Sequence, residues 1–250
     1  MIDFHSHVLP RIDDGSKSIE MSLDMLAYSF EQGVNTVVAT PHCHLTCEAD
    51  VEKFLINREA SYNTLVNAMK KDSRKFPDIR LGCELRVMDD IPQMNELKPL
   101  CIENTDYVLV EMPYKKWTYN HYDFLYAMLL KGMHPIMAHI ERFREYKKEF
   151  VNLFSLDLLY QVNADSFISR PFKKFIPTLF ENGAVQVIGS DMHNTTSRIS
   201  QMKSAKEAII SGYGNDRWEM LMQNAHDILD NKKVTRQAFA HMSFWDTIKL

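Results

Sequence analysis

Hydrophobic and polar positions along this chain alternate between two periods, and the switches mark its elements. A short apolar strand around Ile2–Phe4 comes first. Ser16–Gln32 carries Ile19, Leu23, Leu26, Ala27 and Phe30 at helical spacing, with Ser18 as N-cap and Gly33 as a left-handed stop. Val34–Ala39 is rich in β-branched residues, the mark of a buried strand, and Pro41 ends it. The spacing then predicts a helix over Glu48–Lys71, with Val51, Leu55, Tyr62, Leu65 and Met69 on one side. Strands follow at Ile79–Leu85, Tyr107–Val110 and Pro135–Ala138, with a helix over His121–Lys131 stopped by Gly132. Further on come a helix over Phe150–Leu159, a strand over Tyr160–Asp165, a helix over Pro171–Glu181 closed at Gly183, and a strand over Ala184–Gly189. Ser200–His226 and Thr235–Leu250 read as helices with no further strand.

Three times the chain runs helix, glycine, apolar strand, histidine: Gly33 to His42, Gly132 to His139, and Gly183 to His193. A parallel β/α arrangement produces this unit, with strands buried and helices outside. In such folds the reactive groups gather at the C-terminal ends of the strands. No Pro/Gly/Ser-rich linker or low-complexity segment interrupts the series. The expectation is one α/β domain over residues 1–250, a β/α barrel, with C-terminal helices from about residue 200.

Composition narrows the setting. The 250 residues are 45% hydrophobic and 25% charged, ordinary for a globular domain. A formal charge of −4 argues against a nucleic-acid binder, which would show a basic excess. No apolar run approaches the ~18 residues of a membrane span, and no basic-then-apolar leader is seen, so a cytoplasmic location without membrane insertion is expected. Cys43, Cys47, Cys83 and Cys101 are then expected as free thiols. Cys43 and Cys47 lie near His42 and His44 but lack the second pair that a zinc knuckle needs.

Candidate chemistry sits at the predicted strand ends: His5, His7, Asp14, His42, Glu84, Glu111, His139, Asp191 and His193. Residues i and i+2 of a strand share a face, so His5 and His7 converge, as do Asp191 and His193. The turn at Asp13-Asp14-Gly15 brings a carboxylate back towards the first pair. Singly, each has an ordinary reading: His42 beside a proline can cap a helix, Glu84 can pair with Arg86, and Asp191 can be an N-cap. Jointly, clustered carboxylates without cations would repel and desolvate badly, and divalent ions resolve that conflict. Imidazole with carboxylate, and no obligatory thiolate, suits Mn²⁺, Fe²⁺ or Zn²⁺ better than Ca²⁺. The spread over several strands calls for more than one ion. Such sites generate a hydroxide nucleophile at neutral pH and clamp both oxygens of an in-line phosphoryl displacement. Three divalent ions against Asp14, Glu84, Glu111 and Asp191 leave +2, a match for a phosphomonoester dianion. Arg142 and Arg198 stand where guanidinium groups can fork onto phosphate oxygens, or where each can form a surface salt bridge. A cysteine-based route is disfavoured: six positions after the four cysteines stand Ala49, Lys53, Asp89 and Tyr107, not arginine.

These residues lie in motifs that resemble the polymerase-and-histidinol-phosphatase (PHP) superfamily: HSH at His5–His7, DDG at Asp13–Gly15, TPH at Thr40–His42, CEL around Glu84, VEMP around Glu111, HIER at His139–Arg142 and GSDMHN at Gly189–Asn194. Within it, the chain is similar over about residues 1–200 to the bacterial manganese-dependent protein-tyrosine phosphatases of capsule and exopolysaccharide operons. The resemblance implies a distorted (β/α)7 barrel with a trinuclear manganese centre. One ion would take His5, His7, Glu84 and Asp191, a second Glu84 (bridging), Glu111 and His139, and a third Asp14, His42 and His193. Arg142 and Arg198 fall where that family's phosphate-contacting arginines lie. Many small-molecule phosphatases of the superfamily have histidine at the position of Glu111, and the tyrosine-phosphatase branch has glutamate. The implied substrate is phosphotyrosine on a protein, the tail of an autophosphorylating tyrosine kinase that governs polysaccharide export. The alternatives are a small-molecule phosphomonoesterase, such as a histidinol-phosphate phosphatase, and a non-catalytic scaffold stabilised by metal. Cys43, His44 and Cys47 depart from the pattern and leave open which histidine of that loop ligates. Tyr114–Tyr119 (YKKWTY) reads either as a basic-aromatic rim for a phosphotyrosyl peptide or as a solvated loop.

Overall fold

Strand segments fall where the aliphatic and β-branched runs put them, in a computed structural model that describes residues 1–88, 96–169, 172, 175–181 and 183–235. In chain order the elements are β1 (Ile2–Ser6), α1 (Ile19–Glu31), β2 (Thr36–Ala39), β3 (His42–Cys43), α2 (Ala49–Met69), β4 (Asp78–Leu81), β5 (Glu84–Arg86), β6 (Tyr107–Glu111), α3 (Tyr119–Leu130), β7 (His134–Met137), α4 (Lys147–Phe154), β8 (Leu159–Asn163), α5 (Phe175–Glu181), β9 (Val187–Gly189), α6 (Met202–Tyr213) and α7 (Asn215–Leu229). Every described strand pair is parallel, in one sheet of order β1-β2-β4 and another of order β3-β5-β6-β7-β8-β9.

The two sheets are one barrel wall with breaks. β2 and β3 form one strand path interrupted at Thr40-Pro41, and β4 and β5 another interrupted at Gly82-Cys83. Backbone bonds span the breaks, from Gly82 N to Ala39 O (2.9 Å) and from Glu84 N to Pro41 O (3.0 Å). Counted as strand paths, the segments occupy seven positions, as the (β/α)7 expectation requires. The last position returns to the first: His7 N donates to Met192 O (2.9 Å) and Asp191 N to His5 O (2.7 Å).

Apolar packing closes the opposite end. Ile2, Tyr107, Leu159 and Val187, at or near the beginnings of their strands, share a buried cluster with Ala225, Ile228 and Leu229 of α7. Burying each such aliphatic side chain contributes about 1.5–3 kcal/mol. The Tyr107 hydroxyl donates to Lys232 O (2.9 Å) and accepts from Val234 N (3.1 Å), fixing the chain beyond α7 against β6. α7 therefore plugs the barrel away from the strand ends that carry the polar residues.

Local signals explain most boundaries. Ser18 caps α1, its Oγ accepting from Met21 N at 3.1 Å, and Gly33 follows with φ +88°. Thr118 and His121 form a capping box that starts α3. Three expectations need correction. Ile79–Leu85 is not one strand, because the chain shifts register at Gly82-Cys83. The helix expected over Phe150–Leu159 ends at Phe154, where Ser155 Oγ turns back onto Asn152 O (2.6 Å), and Leu159 already belongs to β8. Ser200–His226 is two helices, broken at Gly214 with φ +91°. Pro171 and the helix expected beyond Thr235 lie outside the described residues.

Candidate metal centre

All nine candidate donors converge at the C-terminal ends of the strands. β1 carries His5 and delivers His7 one residue past its end, so both imidazoles face the barrel axis. Parallel register sets Glu84 beside His42, while Glu111 closes the next strand. His139 and Asp191 stand just beyond β7 and β9 with φ of +32° and +52°. A non-glycine residue in this region carries roughly 1–3 kcal/mol of strain. The strain is held by hydrogen bonds from His139 N to Gln161 Oε1 (2.8 Å) and from Asp191 N to His5 O (2.7 Å).

The deepest donors ring one point. His5 Nε2 and His7 Nε2 face each other at 3.1 Å. Glu84 Oε2 lies 3.3 and 3.4 Å from these two nitrogens, and Asp191 Oδ1 3.6 and 3.4 Å. On one side of this ring, His139 Nε2 is 2.8 Å from Glu84 Oε1 and 3.5 Å from Glu111 Oε1. On the other, Asp14 Oδ1 is 3.2 Å from His42 Nε2 and 3.5 Å from His193 Nε2. His42 Nδ1 also lies 2.8 Å from Glu84 Oε2, out of line for a hydrogen bond. Three sets of donor atoms are close enough to share an ion: His7, Asp14, His42 and His193; His5, His7 and Glu84; and His42, Glu84 and Glu111. His42 thus reaches towards Glu84 and Glu111 as well as towards Asp14. Cysteine enters none of these sets.

The donor set fits divalent cations. Buried polar atoms without a hydrogen-bond partner gather here: Glu84 Oε2, Glu111 Oε2, His42 Nδ1, His139 Nδ1 and His193 Nε2. Buried polar groups are normally satisfied, so such a concentration points to a missing positive partner. Tautomers agree. His5 Nδ1 donates to Gln161 Oε1 (3.1 Å), His7 Nδ1 to Asp13 Oδ2 (2.7 Å) and His193 Nδ1 to the Asp191 carbonyl (3.0 Å). Each of these rings then presents the lone pair of Nε2 inward.

Electrostatics reflect the crowding. Burial disfavours charge on Glu84, but His5, His139 and His42 outweigh it and hold the carboxyl well below its usual range. Burial likewise opposes ionisation of Asp191, and His5, His7 and Arg142 overcome it. His5 and His7 are raised despite complete burial, the first by Glu84 and Asp191, the second by Asp13, Asp191 and Glu84. Burial, with the nearby His7, pushes His193 down to about 4. Each buried charge thus depends on its opposites, and ions would replace protons as the positive partner.

Arg142 and Arg198 both reach the centre. Their Nη2 atoms donate to the same atom, Asp191 Oδ2, that of Arg198 at 2.8 Å. Asn163 Nδ2 is a third donor to that oxygen at 3.0 Å, leaving Oδ1 turned to the histidines. His44 is exposed, its ring 5.8 Å from that of His42, and no ion-sharing set includes it. The YKKWTY segment is mixed: Trp117 is buried, Tyr119 exposed, and Tyr114 half exposed beside Arg142.

Sequence reasoning passed over the buttresses. Asp13 accepts from His7 Nδ1 and from the His42 backbone N–H (3.0 Å), and was visible only as half of an Asp-Asp pair. Gln161 and Asn163 had a signal, two polar residues at i and i+2 of an apolar strand, LYQVN. Glu141 is buried and pushed up to about 7 by that burial, with Ser166 Oγ donating to it at 3.1 Å.

A curled parallel β/α barrel, with imidazoles and carboxylates gathered at its C-terminal strand ends, is the class that fold and site define. Residues 1–230 match the family model for capsular polysaccharide synthesis proteins, CpsB/CapC, and the chain belongs to that family. It is 29% identical over 244 residues to the tyrosine-protein phosphatase YwqE of Bacillus subtilis, covering 95% of this chain and 94% of that protein. Its identity to the tyrosine-protein phosphatase CpsB of Streptococcus agalactiae serotype V is 28% over 250 residues, 94% of this chain and 100% of the other. A solved structure from work on YwqE of Bacillus subtilis and CpsB of Streptococcus pneumoniae, described as unique metal-dependent tyrosine phosphatases, matches with a TM-score of 0.80 and 27% identity over 95% of this chain and 97% of that one. An amidohydrolase structure matches at a TM-score of 0.51 and 12% identity, over 92% of this chain and 99% of that one, which is a likeness of fold alone.

Proposed function

We propose that this chain is a metal-dependent protein-tyrosine phosphatase, a phosphoric monoester hydrolase. One observation carries the reading: imidazoles and carboxylates converge around unsatisfied buried atoms, with two guanidinium groups at the edge of the same cluster. Relatives named tyrosine-protein phosphatases, aligned over nearly the whole chain, support it.

In this reading three divalent ions, manganese by preference, would be held as the family resemblance implies. The first would take His5, His7, Glu84 and Asp191, the second Glu84, Glu111 and His139, and the third Asp14, His42 and His193. Bound there, such ions would draw a nucleophile from water at neutral pH and neutralise charge on the phosphoryl group. The chain's own groups do the rest. Asp13 and Gln161 keep His7 and His5 in the tautomers that present Nε2. Arg142 and Arg198 each spend one Nη2 contact on Asp191 Oδ2, and a guanidinium has further N–H donors to direct at phosphate oxygens as charge builds in the transition state. Near-complete burial of His5, His7 and Glu84 excludes bulk water from the innermost donors, which strengthens those interactions.

The substrate we propose is phosphotyrosine on a protein, specifically the tail of a tyrosine kinase that controls capsular or exopolysaccharide synthesis, in the cytoplasm. No helix among the described residues is long and apolar enough to cross a membrane. Turnover of a phosphotyrosyl peptide and of histidinol phosphate, compared in Mn²⁺, tests the reading. The peptide should be strongly preferred, and a large preference for histidinol phosphate would sink it.

A further inference from the structure

A chamber opens beside the donor cluster, and its lining combines apolar and aromatic side chains with basic ones. It encloses about 690 Å³ between three successive strand ends: His44 and Leu45 after β3, Val87 and Met88 after β5, Pro113 and Tyr114 after β6. Arg86 and Lys115 also line it, and no carboxylate does among the described residues. A neighbouring cavity of about 560 Å³ shares His44 and Arg86 but carries Asp13, Asp14 and Asp50. The first chamber is therefore the one suited to an apolar group that brings negative charge with it.

Tyr114 is its organising side chain. The ring packs near-parallel to Phe143 (centroids 5.2 Å apart, 27°) and to His139 (6.3 Å, 19°). Phe143 and His139 are themselves only 6.0 Å apart, so both lie to the same side of the tyrosine. No ring among the described residues backs the other face, and Tyr114, which lines the chamber, is 46% exposed. The Tyr114 hydroxyl accepts from Arg142 Nη1 at 3.3 Å. The loop behind it is braced: the buried Trp117 donates its indole N–H to Pro113 O at 3.0 Å and stacks on Tyr146 at 5.6 Å. A flat aromatic face is thus held rigidly next to His139 and to an arginine at the cluster.

We propose that this chamber is an aryl subsite, in which the substrate's phenyl ring stacks on the open face of Tyr114 and its para oxygen carries the phosphate towards the donor cluster. The inference rests on the phosphotyrosine phosphatase reading and adds which residues select the ring. Offset stacking between aromatic rings adds to the burial of their area. A phosphoserine lacks both the ring and its length, so its peptide backbone would have to enter the chamber before the phosphate could reach the arginines. Tyr114 is in this account a specificity-determining residue.

The test uses the Mn²⁺-loaded protein, with Y114A and Y114F, on one peptide made in phosphotyrosyl and phosphoseryl forms. Competitive inhibition by phenylphosphonate and methylphosphonate is measured in parallel. Y114A should cut the phosphotyrosyl-over-phosphoseryl selectivity in kcat/KM about tenfold, mainly through KM for the phosphotyrosyl peptide. It should weaken phenylphosphonate far more than methylphosphonate, while Y114F, which keeps the ring, retains most of both selectivities. Equal losses on the two peptides, or wild-type protein that binds phenylphosphonate no better than methylphosphonate, would overturn the subsite while leaving the phosphatase reading intact. Wild-type protein inert towards the phosphotyrosyl peptide but active on histidinol phosphate would overturn the phosphatase reading and this inference with it.

Discussion

The inner and outer parts of the centre are built differently. His5, His7, Glu84 and Asp191 are buried on or just after strands, and their orientations are fixed by the sheet and by Gln161, Asp13 and the β1–β9 contact. Asp14 and His42 belong to the rim: Asp14 is 65% exposed, on a loop that reaches the centre by folding back over His7. The inner group is set by strand register, at the cost of burying carboxylates that need positive partners. The outer group depends on one turn staying closed. The difference predicts a core that fails all at once and a rim that can be loosened alone.

The largest effect should come from Glu84→Gln, because Glu84 belongs to two of the three ion-sharing sets. Near-isosteric replacement keeps the packing but removes the charge, so phosphatase kcat/KM should fall at least ~10³-fold and bound metal should drop in parallel. Retained metal and activity would break the distinction at its inner side. Gly15→Ala probes the rim. A Cβ there would stand 2.4 Å from His7 Cβ and from His7 O, so the Asp13–Asp14 turn must move away from the end of β1. Activity should fall by about 10²-fold, with metal partly retained, whereas complete metal loss would mean that the rim is not separable. A gentler perturbation, Asp13→Asn, removes the charge behind His7 and should weaken metal affinity about tenfold, read by competition with a chelator. Least of all, Ser18→Ala removes only the cap of α1. It should cost about 1 kcal/mol in denaturant unfolding with metal content unchanged.

The same division governs what could be read from the sequence. Strands such as Tyr107–Val110 and the residues at their ends were legible because apolar runs, glycines and prolines act locally, and His-x-His carries its geometry in its spacing. The split of Ile79–Leu85 was not, since Gly82-Cys83 changes sheet through long-range pairing with Ala39 and Pro41. Gln161 and Asp13 acquire their meaning only when β8 and the first turn meet the histidines, 156 residues away for His5 and Gln161. Tyr114 stood in a motif that looked uniformly basic and aromatic. Its orientation follows from Phe143 and His139, which no local pattern announces.

Metal removal and return test the central claim most directly. Protein stripped with a chelator and dialysed should lose turnover of a phosphotyrosyl peptide, and stepwise Mn²⁺ should restore it in proportion to ions bound, approaching three per chain. Full turnover in the metal-free protein, or restored activity with no divalent ion bound, would contradict the account.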